Sequence, residues 1–144
     1  MTSIAPLTVP GQLDSLRAIR DYVINATSRA GLDKTLSNRM RLAVDEIVTN
    51  SIVHGYQESG TNGNVLIAAD IDDDKLTIIV EDWAPYYDPT QHDMPTVEEL
   101  GQPLDTRDIG GLGIFLAING MDEFHYERVG DRNRSIFVMY RPAV

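Results

Sequence analysis

The sequence predicts an α+β fold, a two-layer α/β sandwich in which a mixed, mostly antiparallel sheet is covered on one face by helices. Three observations predict it. Most of the strand candidates fall in adjacent pairs joined by short polar turns, which makes hairpins and not the strand–helix alternation of a parallel sheet. Two early stretches carry apolar residues at the helical period. A Pro-rich stretch without periodicity, roughly 84–109, then leads into a third helix through the glycine-rich "DIGGLGIFLAING".

The elements follow in order. "IAPLTV" is a short strand closed by Pro10-Gly11. Leu13, Leu16, Ile19, Val23, Ile24 and Ala30 recur at the helical spacing, so a helix runs from Leu13 to Ala30, with Gly31 as its stop. A second helix is expected from Lys34 or Thr35 to His54, ended by Gly55. "NVLIAADI" and "KLTIIVED" are rich in β-branched residues and flank the acidic turn Asp72-Asp73-Asp74, which makes a hairpin. Neither alternates cleanly, so the pair is buried on both faces or irregular. After the aperiodic stretch a helix is expected from about Gly113 to Ile118 or Met121. "DEFHYERV" and "SIFVMYRP" then form two more strands joined by "GDRNR".

Bulk properties narrow what such a fold can serve. A chain of 144 residues with 42% hydrophobic residues supplies one ordinary core, so residues 1–144 are expected to form a single domain with a lid at about 84–109. The N-terminus has no basic start followed by an apolar run, which argues against a signal peptide. No apolar stretch approaches the ~20 residues that span a bilayer. Without cysteine there is no disulfide or thiolate metal site, in keeping with a reducing cytoplasm, and three scattered histidines argue against zinc. A net charge of −10 repels nucleic acid and anionic membranes at long range. A phosphate ligand would therefore need local donors or a metal ion.

Two segments carry candidate chemistry. In "RLAVDEIVTNSIVHGY", Leu36, Met40, Ala43, Val44, Ile47, Val48 and Ser51 form the core stripe, while Arg41, Asp45 and Thr49 face solvent. Glu46 and Asn50 stack four residues apart at the margin of that stripe, with His54 one turn further. A carboxylate and a carboxamide so placed suit a general base and a metal ligand; an ordinary amphipathic helix has the same pattern. In "GGLGIF", removing side chains ahead of a helix lets backbone N–H groups converge on an anion at the positive end of the dipole. A hinge or tight packing against the sheet explains the glycines equally well. The context is wrong for a dinucleotide-binding turn, and no Lys-Ser or Lys-Thr follows for a P-loop.

Together, "AVDEIVTNSIVHGY", "VEDWAPYYDP", "GGLGIFLA" and "MDEFHYERVGDRNRS" resemble, in order and spacing, the motifs of the GHKL (Bergerat-fold) ATP-binding superfamily. Within it the chain resembles the small anti-sigma factor serine kinases of bacterial partner-switching systems. The resemblance implies ATP and Mg²⁺ as cofactors. It makes Asn50 the Mg²⁺ ligand, Glu46 the general base toward a substrate serine, Asp82 the acceptor of the adenine amino group, and Ser135 the hydroxyl beside the adenine. It places His54 and Gly55 beside the nucleotide, Ala84 at the base-facing turn, and Gly110, Gly111, Leu112, Gly113 and Ile114 in the phosphate-wrapping loop. Arg107, the nearest lid cation, would meet the terminal phosphate, or would simply be solvated.

The implied function is an ATP-dependent protein serine/threonine kinase and partner-switching regulator. Its substrate would be a STAS-type anti-sigma factor antagonist, with a sigma factor or another switch target as the competing partner. The resemblance further implies a cytoplasmic homodimer with no direct nucleic-acid or membrane contact. One departure stands out: the family has glycine where this chain has Ala84, and another glycine in the region of Pro85-Tyr86-Tyr87. Weaker or slower nucleotide exchange is the expected consequence, with loss of nucleotide binding as the extreme. That extreme defines the alternative, a non-catalytic adaptor that sequesters proteins on the same fold. Trp83, Tyr86 and Tyr87 are candidates for stacking on adenine or a partner, or for packing of the lid.

Overall fold

The computed structural model describes residues 2–91 and 109–142. In chain order these form β1 (Thr2–Pro10), a 3-10 turn (Leu13–Ser15), α1 (Leu16–Arg29), α2 (Lys34–Asn50), a π-helical segment (Ser51–Gln57), β2 (Asn64–Ile71), β3 (Lys75–Asp82), a 3-10 turn (Pro89–Gln91), α3 (Ile109–Asn119), β4 (Glu123–Val129) and β5 (Arg132–Tyr140). The sheet order is β1-β2-β3-β5-β4, and all four pairings are antiparallel. The fold is therefore the predicted α+β sandwich, with a sheet that is antiparallel throughout the described strands.

Local chemistry explains the boundaries. Asp33 caps α2 by accepting the Leu36 amide at 2.8 Å. Asp72 Oδ1 accepts the Asp74 and Lys75 amides, each at 2.8 Å, which closes the β2–β3 hairpin and holds the Asp72 carboxyl below its ordinary pKa. Gly130, at φ 61, takes the first central position of the two-residue β4–β5 turn, where a side chain would be strained. In β1 the register slips between Ile4 and Leu7, around Pro6, which cannot donate to the ladder and is tolerated on this edge strand.

The second helix departs from its predicted stop. Helix continues through Gly55 and ends at Gly60, which has φ 70. Gly55 lacks a side chain for a different reason: a Cβ there would lie 2.8 Å from the Ala84 Cβ. Asp45, expected in solvent, instead holds Arg20 of α1 through bonds of 2.9 and 3.1 Å. Arg20 remains substantially exposed, so this pair contributes no more than about 1 kcal/mol.

The core lies between the helices and one face of the sheet. Ile67, Leu76, Ile78 and Phe137 from the sheet meet Ile19, Val23, Met40, Val44 and Val48 from α1 and α2, all fully buried. Helix α2 packs against both α1 and α3. Strand alternation sends Val80, Asp82, Asn133 and Ser135 to the helix-covered face, while Glu81 and Arg134 go to the other. There Glu81 is held by Arg132 at 2.9 Å and Arg134 at 2.7 Å.

Tyr56, in the π segment, ties the end of α2 to the strand ends that frame the site. Its ring occupies the space that side chains at Gly11 and Gly63 would need. Its hydroxyl donates to the Asn64 carbonyl at 2.6 Å and accepts the Trp83 amide at 2.8 Å. Burial pushes the phenol above its ordinary pKa, so the donor is retained at neutral pH. Tyr56→Phe leaves the ring in place but strands two backbone groups. It is expected to cost about 1–3 kcal/mol, read as a lower midpoint in urea denaturation with unchanged slope.

Candidate functional site

Asn50 sits in the last turn of α2, and its amide nitrogen is fully engaged. Nδ2 donates to the Glu46 carbonyl at 2.9 Å and to Glu46 Oε1 at 3.1 Å. Asp82 ends β3 on the helix-covered face. Its Oδ1 accepts the Ala84 amide at 3.0 Å and Asn133 Nδ2 at 2.9 Å. Ser135 faces the same way from β5, two residues along the strand from Asn133.

Among the described residues, Asn50 Oδ1, Asp82 Oδ2 and Ser135 Oγ have no hydrogen-bond partner, although their residues are only 5–6% exposed. No fully enclosed side-chain polar atom among the described residues is left unpaired. The three oxygens therefore spend their remaining exposure on the cleft that Asn50, Asp82 and Ser135 line together with Ile47, Ser51, Gly55, Ala84, Tyr87, Pro89 and Asn133. Asp82 is bonded only by neutral donors, unlike its neighbour Glu81 with two arginines. It stays available to accept from a neutral N–H of a ligand. The cleft is closed: its free volume is about 10 Å³, room for roughly one water.

A second depression lies on the other side of Glu46. Arg39, Leu42, Ala43 and Glu46 of α2 face Gly113, Ala117 and Asn119 of α3 and the adjoining Gly120 across a groove of about 580 Å³. The Asn50–Glu46 bond links this groove to the closed cleft, so one carboxylate and one carboxamide stand between the two.

The glycine run behaves differently from its sequence reading. Gly110, Gly111, Leu112, Gly113 and Ile114 lie inside α3, whose first residue is Ile109, and do not precede it. A Cβ on Gly113 would overlap the Glu46 carboxylate, so that carboxylate is what comes close to this backbone. Ile114 is fully buried, main chain included. Arg107 falls outside the described residues.

Two further positions are informative. His54 is not brought to the cleft; its exposed ring contacts Glu58 at 2.8 Å. Ala84, the departure from the family glycine, adopts a negative φ and sets its methyl against Gly55. The absence of a side chain at position 55 leaves room for the methyl at 84.

Asn133 is the residue that the sequence alone conceals, because the whole of "GDRNR" reads as a turn. The turn is only Gly130-Asp131, and β5 starts at Arg132. Its two-residue spacing from Ser135 is the signal that places both on one face.

Comparison with known proteins identifies the family to which this fold belongs. A family model described as the histidine kinase-like ATPase domain matches residues 9–139. Serine-protein kinase RsbW of Staphylococcus epidermidis is 30% identical over 122 residues, covering 81% of this chain and 74% of that protein. Serine-protein kinase RsbW of Staphylococcus aureus strain MSSA476 is 30% identical over 118 residues, with the same coverage. The crystal structure of the RsbU and RsbW domains of Rv1364c from Mycobacterium tuberculosis superposes with a TM-score of 0.62 at 19% identity. That match covers 97% of this chain and 34% of the other, so this chain spans about a third of that molecule, and the likeness is one of fold. The chain belongs to the histidine kinase-like ATPase domain family.

Proposed function

We propose that this protein is an ATP- and Mg²⁺-dependent protein serine kinase of the partner-switching type, acting on a serine of a STAS-type anti-sigma factor antagonist. The observation that carries the reading is the convergence of three unpaired oxygens, from Asn50, Asp82 and Ser135, in one cleft that Asn50 joins to Glu46. The donor set fits the nucleotide. Asn50 Oδ1 is a hard oxygen ligand of the kind Mg²⁺ takes singly, alongside water and phosphate oxygens. Asp82 Oδ2 and Ser135 Oγ are an acceptor and a hydroxyl suited to the edge of adenine. When bound, the metal and triphosphate supply the phosphoryl group and neutralise its charge.

The protein's own part is positioning and proton transfer. Glu46 Oε1 is held by the Asn50 amide, and the carboxylate lies against Gly113 at the groove. A serine hydroxyl entering along the groove would meet Glu46 as proton acceptor. The Gly110–Gly113 backbone, starting α3, is the candidate for the phosphates, and Arg107 for the terminal one. Ala84 and Gly55 would flank the base. Because the cleft is closed, entry of a base requires the Pro85–Pro89 stretch to move outward.

That closure is also the observation favouring a second reading, a non-catalytic adaptor that sequesters a protein partner. Incubation with [γ-³²P]ATP, Mg²⁺ and a STAS-domain antagonist separates the two. The kinase reading expects label on the antagonist serine, whereas binding of the antagonist without label establishes the adaptor.

A further inference from the structure

Asn133 is a buried carboxamide in contact with six groups, and its orientation is unambiguous. Oδ1 faces three donors: the Tyr126 hydroxyl at 2.5 Å, Arg128 Nη1 at 3.2 Å and the Tyr87 amide at 3.3 Å. Nδ2 faces three acceptors: Asp82 Oδ1 at 2.9 Å, the Pro85 carbonyl at 3.1 Å and the Ala84 carbonyl at 3.2 Å. Turning the amide over would set acceptor against acceptor and donor against donor on both sides. The side chain therefore works as a fixed bracket between β3, β4 and the segment that leaves Asp82.

We infer that Asn133 is a positioning residue for purine recognition: through Asp82 it makes the cleft select a 6-amino purine over a 6-oxo purine. The inference rests on the nucleotide reading above. Asn133 Nδ2 and the Ala84 amide together hold one carboxylate oxygen, which fixes the carboxylate plane and leaves the second oxygen toward the cleft as an acceptor. A 6-amino group donates to that oxygen. A 6-oxo group presents only lone pairs, so neither partner is satisfied, a penalty that discriminates strongly in a closed site. Without Asn133 the carboxylate keeps only the Ala84 amide and turns more readily, and its penalty for the wrong purine weakens.

Asn133 also holds the Ala84–Tyr87 stretch over the cleft, so its loss eases entry of any base. That second effect moves both purines alike. The ratio of ATP to GTP affinity therefore reports the bracket and ignores both the gate and a general loss of folded protein.

Calorimetric titration of Mg-ATP and Mg-GTP into the wild type, Asn133→Ala and Tyr126→Phe tests this. The wild type is expected to prefer ATP. Asn133→Ala should lower the ATP:GTP affinity ratio about tenfold, the scale of a lost hydrogen bond to a charged group. Tyr126→Phe, which removes the shortest of the Oδ1 bonds, should lower it by about threefold, on the scale of a modest single bond. It decides the matter if Asn133→Ala does not fold. A wild type without preference, or a ratio unchanged in the folded variants, overturns the role of Asn133 and leaves the kinase reading standing. A wild type that binds neither nucleotide overturns the kinase reading, and this inference with it.

Discussion

Glu46→Gln is expected to reduce phosphate transfer to the antagonist serine by about 10²- to 10⁴-fold, the usual worth of a positioned general base. Nucleotide affinity should stay near that of the parent. The substitution is nearly isosteric, so the crowded contact with Gly113 and the bond from the Asn50 amide have a replacement oxygen. What is lost is the negative charge able to take the serine proton. Single-turnover labelling with saturating Mg-ATP, beside a binding titration of the same variant, reads the two effects separately. Label formed at the parental rate would remove Glu46 from the chemistry.

Asn50→Ala is expected to act earlier, on binding. Losing an outer partner of a bound metal costs roughly 10–100-fold in affinity, and loss of the ligand itself should cost at least that. The signature is a changed dependence on the ion: Mg²⁺ should strengthen ATP binding by the parent much more than by the variant. Stability should change little. Among the described residues, the Asn50 side chain bonds only its own helix, four residues back, and its Oδ1 takes no bond. Equal Mg²⁺ dependence in both proteins would detach Asn50 from the metal.

Where the sequence was easy to read, one local pattern decided the outcome. β2 and β3 fall at their predicted bounds because both runs end at sharp turn residues, and Gly31 ends the first helix with the positive φ expected of it. The glycines at 55 and 113 were harder. A missing side chain is visible in a sequence, but the group that fills its place is not. Ala84 fills one space and the Glu46 carboxylate the other, across separations that no local period registers. Asn133 was hidden for a similar reason. Its six partners come from both sides of a long excursion of the chain, and only the strand register brings them to one point.

That register has a kinetic counterpart. Asp82 and Asn133 are neighbours across the sheet yet 51 residues apart along the chain. Each half of the sheet can zip from its own tight hairpin, but joining β3 to β5 must first close this long loop. Closure entropy grows only logarithmically, about 0.6 kcal/mol for each doubling of length. Lengthening the connection between Asp82 and α3 should therefore cost little in stability, while the rate of the β3–β5 docking step carries its mark, and α3 itself, with Ile114 and Ala117 in the core, does not share that freedom. The fold leaves room to vary the length of chain that leads into α3 without unmaking the sheet behind it.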